Sequence, residues 1–316
     1  MILCVTPSPA IDRTARVDRL AFGAILRPVE VVVLAGGKGD NVARAVRALG
    51  GLAMTTGFAG GHAGRWLVES LDAEGLNPRF VTVAAETRTT YVTVDAAGRS
   101  ILVYEPAAPI DDADATRLLD LLASDLLPAA TRVAGCGSAP AGGGSALHAR
   151  IVRACRAAGR PVLVDAGGPA LGAALDAGPD IVKVSRDEAA SVVGQGDASA
   201  GRLAEGLVER GAGLAIVTDG PHGAAASDGM TTWTAEVPRV RAVDPIGSGD
   251  AFTAGLLVAL EAGRSTGEAL AWAAAAGTAN AEALGAGRLD ETRQVELVGA
   301  IKVRAVSRVG APGGPT

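Results

Sequence analysis

The run Val243-Asp244-Pro245-Ile246-Gly247-Ser248-Gly249-Asp250-Ala251-Phe252 leads into a segment with Phe252, Leu256 and Leu260 on one stripe. That spacing predicts a helix over 251–261. Gly247, Ser248 and Gly249 then lie at its amino terminus, where free N–H groups and the positive end of the helix dipole form an anion site. The two glycines let a phosphate approach the backbone closely. An ionised aspartate there repels a phosphate that is merely held. It makes sense as a base taking the proton of a hydroxyl that attacks phosphorus. Ser and Asp are also ordinary helix caps, so this run alone leaves both readings open.

The elements that must position such a site follow from periodicity. Residues 1–5 read as a buried strand, and 27–34, with the run Val29-Glu30-Val31-Val32-Val33, as a second. Gly36-Gly37-Lys38-Gly39-Asp40 reads as a turn before a helix over 41–49 that stops at Gly50-Gly51. A further helix covers 65–74. Thr89–Val94 and Ser100–Tyr104, separated by Ala96-Ala97-Gly98-Arg99, read as a hairpin. This hairpin is expected to join strand 27–34 in a small sheet apart from the main body.

From residue 114 onward helices and strands alternate: helix 114–127, strand 131–134, helix 146–158, strand 162–165, strand 180–184, helix 187–193, helix 200–210 and strand 214–218. Alternation of this kind means crossover units and a parallel sheet with helices on both faces. The Gly- and Pro-rich last residues read as a loose tail.

Bulk composition excludes several classes. Of the 316 residues, 48% are hydrophobic but only 3% aromatic, so Ala, Val and Leu must fill the core. A net charge of -5 without a Lys/Arg run disfavours nucleic acid. Cys4, Cys136 and Cys155 are far apart, which argues for buried thiols rather than disulfides or zinc. His62, His148 and His222 lack metal-ligand spacing and read as non-catalytic. No stretch is long and apolar enough for a membrane span, and no leader is recognisable, so the expected location is cytoplasmic. A P-loop is excluded because Gly39 follows Lys38.

Asp-Pro-Ile-Gly-Ser-Gly-Asp (244–250) resembles the carboxy-terminal signature of the ribokinase-like, phosphofructokinase B family of carbohydrate kinases. Other pieces stand in family order: Ser8-Pro9-Ala10-Ile11-Asp12, Gly36-Gly37-Lys38-Gly39-Asp40-Asn41-Val42-Ala43 and Gly57-Phe58-Ala59-Gly60-Gly61-His62-Ala63-Gly64. They continue through Gly137-Ser138-Ala139-Pro140, Asp165-Ala166-Gly167-Gly168 and Thr218-Asp219-Gly220-Pro221-His222-Gly223. The resemblance implies an α/β fold: a three-layer αβα sandwich with a mostly parallel sheet plus a small β-sheet lid. It implies one kinase domain over 1–310, lid segments near 13–35 and 87–105, and a tail at 311–316. ATP would be the donor, with Mg2+ and in some relatives K+. A homodimer through the lid is implied for many members.

The resemblance also distributes roles. Asp250 would be the base, with Gly247, Ser248 and Gly249 holding the transferring phosphoryl group. Asp12, Gly37, Asn41 and Ser138 would line the acceptor pocket. Lys38, Arg88 and Arg27 would form a cation cluster for a phosphate already on the sugar. Thr90 stands where that branch has Asn. On the donor side, Lys183, Ser185, Thr218, Gly220, Gly223 and Asn280 would face ATP. Glu188 would act on Mg2+ indirectly, with Ser185 at the family's Asn position. Asp244 reads equally as a monovalent-cation ligand or a turn residue.

The implied partner is a small sugar phosphate in the hexose-phosphate branch. The pattern looks most like a 1-phosphofructokinase (fructose 1-phosphate to fructose 1,6-bisphosphate), with the 6-phosphofructokinase and tagatose-6-phosphate kinase types close by. A kinase for an unphosphorylated sugar, of fructokinase or ribokinase type, and a non-catalytic sugar-phosphate sensor remain as alternatives.

Overall fold

The computed structural model describes residues 1–142 and 146–307. The tail expected at 311–316 lies outside the described residues. A ten-stranded sheet organises the chain. Its parallel part runs Leu214–Thr218, Ile181–Ser185, Val162–Asp165, Arg132–Cys136, Ile2–Thr6, Ala53–Gly60, Val81–Val83. An antiparallel edge of Ala224–Ser227, Thr231–Glu236 and Lys302–Ser307 extends it beyond Leu214–Thr218.

Ile2–Thr6 is flanked by Ala53–Gly60 on one side and Arg132–Cys136 on the other. The chain therefore reverses its direction of travel across the sheet there. A crevice opens at the carboxyl ends of parallel strands at such a switch point, and ligands of open α/β sheets bind in it.

Helices cover both faces. Lys38–Ala48, Ser248–Glu261 and Thr266–Ala281 pack together on one face over Ile2, Cys4, Ala134 and Leu163. On the other, Asp112–Leu121 and Leu147–Ala157 enclose Leu3, Val5, Val133 and Val164. Successive residues of each central strand thus feed opposite cores, which is why these strands read as unbroken apolar runs. Cys4, Cys136 and Cys155 are buried free thiols within these layers.

The small sheet has four strands, Glu30–Gly36, Ala10–Val17, Arg88–Asp95 and Ser100–Tyr104, in that order. The expected joining of strand 27–34 and the hairpin in one small sheet holds, while two segment bounds shift. The strand expected at 27–34 is displaced to Glu30–Gly36. It does not touch the hairpin: Ala10–Val17 lies between, antiparallel to Glu30–Gly36 and parallel to Arg88–Asp95. Asp12, Arg13 and Arg16 interrupt the apolar alternation of that central strand and hide it from a period-two reading. The segment expected as a turn at 36–40 becomes helix from Lys38 onward. Among the described residues no helix is long and apolar enough to cross a membrane.

Candidate active site

A cleft of about 1420 Å³ runs between the small sheet and the carboxyl ends of the parallel strands. Helix Ser248–Glu261 points its amino terminus into it. Gly247 caps that helix at φ 83°, a left-handed conformation that favours glycine, and a Cβ there would sit 2.5 Å from Ala286. Asp250, in the first turn, is 6% exposed. Its Oδ2 accepts a hydrogen bond from Asn41 Nδ2 at 3.0 Å. Burial pushes its carboxyl up to about 6, and Asp165 adds to the rise, against the pull of Lys38, Lys183 and Asn41. A carboxyl poised there is ionised at neutral pH yet basic enough to take a proton.

Three charges from three elements meet beneath Asp250. Asp165, at the end of Val162–Asp165, is fully buried and bonds Lys38 Nζ through Oδ1 and Lys183 Nζ through Oδ2, both at 2.8 Å. Burial alone would raise Asp165, but the two ammoniums outweigh it and hold the carboxyl near 2. Lys38 is raised above its ordinary value, chiefly by Asp165. Lys183 Nζ lies 2.9 Å from where a Cβ on Gly249 would stand, so an ammonium flanks the helix terminus. An anion at Gly247–Gly249 would meet both a helix dipole and a fixed cation.

One half of the cleft hangs from the small sheet. Asp12 lies on Ala10–Val17, and its Oδ1 accepts from Thr90 Oγ1 at 2.5 Å across the parallel register. Its Oδ2 crowds Gly36 so closely that a Cβ there would be 2.0 Å away. Burial raises the Asp12 carboxyl, opposed by Thr90, Arg44, the Gly37 backbone and Asn41. Arg88 donates to the main-chain carbonyls of Glu105 at 3.3 Å and Ser8 at 3.2 Å, and its Nε is buried without a partner. Tyr104, at the end of the hairpin, also lines this half; burial and then Asp12 and Asp250 raise its hydroxyl.

On the opposite flank, Ser185 caps helix Arg186–Val193 in a reciprocal box with Glu188. Ser185 Oγ and its backbone N–H both donate to Glu188 Oε2 at 2.8 Å. Glu188 Oε1 lies 3.7 Å from Lys38 Nζ. Thr218, Gly220 and Gly223 line the cleft beside Val237, Val240 and Ala274.

The cleft gathers Asp12, Gly37, Lys38, Asn41, Arg88, Ser138, Lys183, Ser185, Glu188, Thr218, Gly220, Gly223, Gly247, Ser248, Gly249 and Asp250. It does not gather all the expected residues. Arg27 is exposed on the loop before Glu30–Gly36 and does not line the cleft, so the cluster of Lys38, Arg88 and Arg27 does not form. Lys38 turns to Asp165 and Glu188 instead. Asn280 is fully buried, neither on the helix surface nor in the cleft wall; its Nδ2 holds the carbonyls of Gly285 and Arg288 at 3.3 and 2.6 Å. Asp244 is buried, with its two oxygens on the N–H groups of Ile246 at 3.0 Å and Gly285 at 3.2 Å.

Sequence reading did not single out Asp165 or Tyr104 as site residues. Asp165 sits at the end of a predicted strand, a position that open α/β sheets give to ligand-facing groups, and that was the available signal.

The chain matches the family described as pfkB family carbohydrate kinase over residues 2–293. It is 36% identical over 274 residues to 1-phosphofructokinase of Haloferax volcanii, spanning 85% of this chain and 87% of that one. Phosphofructokinase-2 from Escherichia coli in complex with potassium superposes with a TM-score of 0.85 at 25% identity, over 95% of this chain and 98% of that one. A protein from Thermotoga maritima described as a possible 1-phosphofructokinase gives a TM-score of 0.85 at 24% identity, over 97% and 100%, a likeness of fold.

Proposed function

This chain belongs to the pfkB family of carbohydrate kinases, and from that premise we propose that it moves the γ-phosphoryl group of ATP onto a hydroxyl of a hexose phosphate. Fructose 1-phosphate is the leading acceptor, by likeness to the Haloferax volcanii relative. The observation that carries the reading is the place of Asp250. It stands between the acceptor residues Asp12 and Asn41 and the paired lysines at Asp165, at the foot of a helix terminus open to the cleft.

The acceptor hydroxyl is oriented by Asp12 and Asn41. As its oxygen attacks the γ-phosphorus, Asp250 takes its proton, the bond to the bridging oxygen breaks, and ADP leaves. The Gly247–Gly249 backbone and Lys183 stabilise the charge on the phosphoryl oxygens. Arg88 meets the phosphate already on the sugar. Its hydrogen bonds go to main-chain carbonyls, which leaves its charge for the cleft. Thr218, Gly220 and Gly223 border the nucleotide.

Among the described residues no cluster of His, Cys, Asp and Glu could hold a metal ion alone. That fits a Mg2+ ion carried largely by the nucleotide's phosphates and water, with Glu188 acting from outside. Bound there, the ion would neutralise charge on the β- and γ-phosphate oxygens. Asp244, whose hydrogen bonds come from backbone N–H groups, is the residue that would face a monovalent cation. The small sheet serves as a lid over the acceptor. Its outer strand exposes Ile101, Leu102 and Val103, and a homodimer through this face is part of the proposal.

One observation favours a second reading, a kinase for an unphosphorylated sugar: Arg27 lies outside the cleft, and Arg88 faces a second phosphate without it. ADP release with Mg-ATP separates the two. The acceptors are fructose 1-phosphate, fructose 6-phosphate, tagatose 6-phosphate, fructose and ribose. Turnover on a phosphosugar whose KM rises at least tenfold in Arg88→Ala is the expected result. Turnover on fructose or ribose alone would overturn the phosphosugar reading. Binding of a sugar phosphate with no turnover on any acceptor would replace the kinase by a sensor.

A further inference from the structure

Arg44 is a buried guanidinium that plays no part in the steps above. It sits on helix Lys38–Ala48 one turn beyond Asn41 and is 7% exposed. Its donors are all engaged. Nε and Nη2 hold Glu74 at 2.5 and 2.9 Å, and Nη2 also donates to the carbonyl of Ala35 at 2.5 Å. Nη1 donates to Asn41 Oδ1 at 3.0 Å and to the carbonyl of Ala286 at 3.3 Å.

The contact with Asn41 has a consequence for the base. An amide side chain has an accepting end and a donating end. Because Arg44 occupies Oδ1, Nδ2 faces Asp250 Oδ2 and lies close enough to Asp12 to lower its carboxyl as well. Turned about, the amide would set an acceptor against carboxylates and a donor against a guanidinium. Asp250 Oδ1 accepts no hydrogen bond from the described residues.

We propose that Arg44 is a positioning residue: it locks the Asn41 amide so that Asp250 Oδ2 is occupied and Oδ1 alone is left to take the acceptor's proton. The same guanidinium steadies the backbone on either side of the reaction. Ala35 precedes Gly36, which backs Asp12, and Ala286 packs against Gly247. The inference rests on the assignment of Asp250 as the base.

The test replaces the ion pair as a unit. Arg44→Met/Glu74→Met removes both charges at similar volume, a change that buried ion pairs often tolerate. Arg44→Lys keeps the charge and loses the fork. Kinetics are read with Mg-ATP and the best acceptor of the panel, beside Asn41→Ala and the triple variant. The expected result is a folded double variant whose kcat falls at least tenfold while KM for acceptor and ATP stays within threefold. Adding Asn41→Ala should cost the double variant less kcat than it costs the parent, because both changes act through the same amide. A folded variant with the original kcat, or losses that multiply with Asn41→Ala, overturns the proposal. If neither Arg44 variant folds, Arg44 is a purely structural residue and the proposal falls. Retained activity in Asp250→Asn would instead overturn the base assignment, so the two failures are distinguishable.

Discussion

Lys38 Nζ lies 2.8 Å from Asp165 Oδ1, on the far side of the same carboxylate that Lys183 holds at 2.8 Å. A lysine set between glycines looks like a solvated turn residue. Here it is drawn inward to a fully buried carboxylate, whose charged form Lys38 and Lys183 both favour. The pair of lysines keeps positive charge at the foot of the cleft, where γ-phosphoryl transfer would need it.

Asp165→Asn should therefore destabilise the protein. It strands Lys183, which is 4% exposed, without its counter-charge. The expected loss is about 3 kcal/mol by urea unfolding at pH 7. The sign follows from the native carboxyl lying near 2, below its ordinary value. That contribution is present above the ordinary carboxylate range and is lost as pH falls toward 2. A variant as stable as the parent at pH 7 would refute this account of the two lysines.

Asp250→Asn should have the opposite effect on stability. The carboxyl is raised to about 6, so the folded state binds a proton that the unfolded chain has released. Stability falls as pH rises from the ordinary carboxylate range to about 6. The variant, with nothing to ionise, should gain up to roughly 3 kcal/mol at pH 8 and little at pH 4. Its kcat should drop by about 10³. In the parent enzyme kcat/KM should decline tenfold per pH unit below about 6. Pairing melting curves with pH profiles checks both halves; a flat profile down to pH 5 would remove Asp250 as the titrating base.

Ser185→Ala separates a cap from a nucleotide contact. The serine hydroxyl is committed to Glu188 in the capping box. Its loss should cost about 1 kcal/mol in thermal unfolding and leave KM for ATP within twofold. A tenfold rise in that KM would mean that the hydroxyl touches the nucleotide.

Much of this arrangement was legible in the residues. Arg88–Asp95 and the core strands alternate or run apolar in the way their burial demands, and Ser100–Tyr104, exposed along its length, was marked by its β-branched and aromatic residues after a glycine turn. Helix Ser248–Glu261 was marked by its glycines and its stripe. Other parts gave weak signals. Ala224–Ser227 is mostly alanine, which carries little strand propensity, and only its neighbours fix it. Thr266–Ala281 is so uniformly small and apolar that no face stands out. Arg27 and Asn280 were placed by resemblance, and tertiary packing decided otherwise. A residue six positions before a sheet's centre can face outward, and an amide on a helix can be used to tie a loop. Pairings across 127 or 209 positions, as between Lys38 and Asp165 or Asn41 and Asp250, leave no local periodicity to read.

The crowding at two glycines bears on how this protein can change over generations. A Cβ on Gly36 would strike Asp12 Oδ2, and one on Gly249 would strike Lys183 Nζ. A side chain at either position must push a charged group of the cleft out of place. Ser138 and Tyr104, at the open rim, carry no such restriction. Drift toward a new acceptor should accumulate at the rim, and random libraries aimed at altered substrate choice should yield their survivors there.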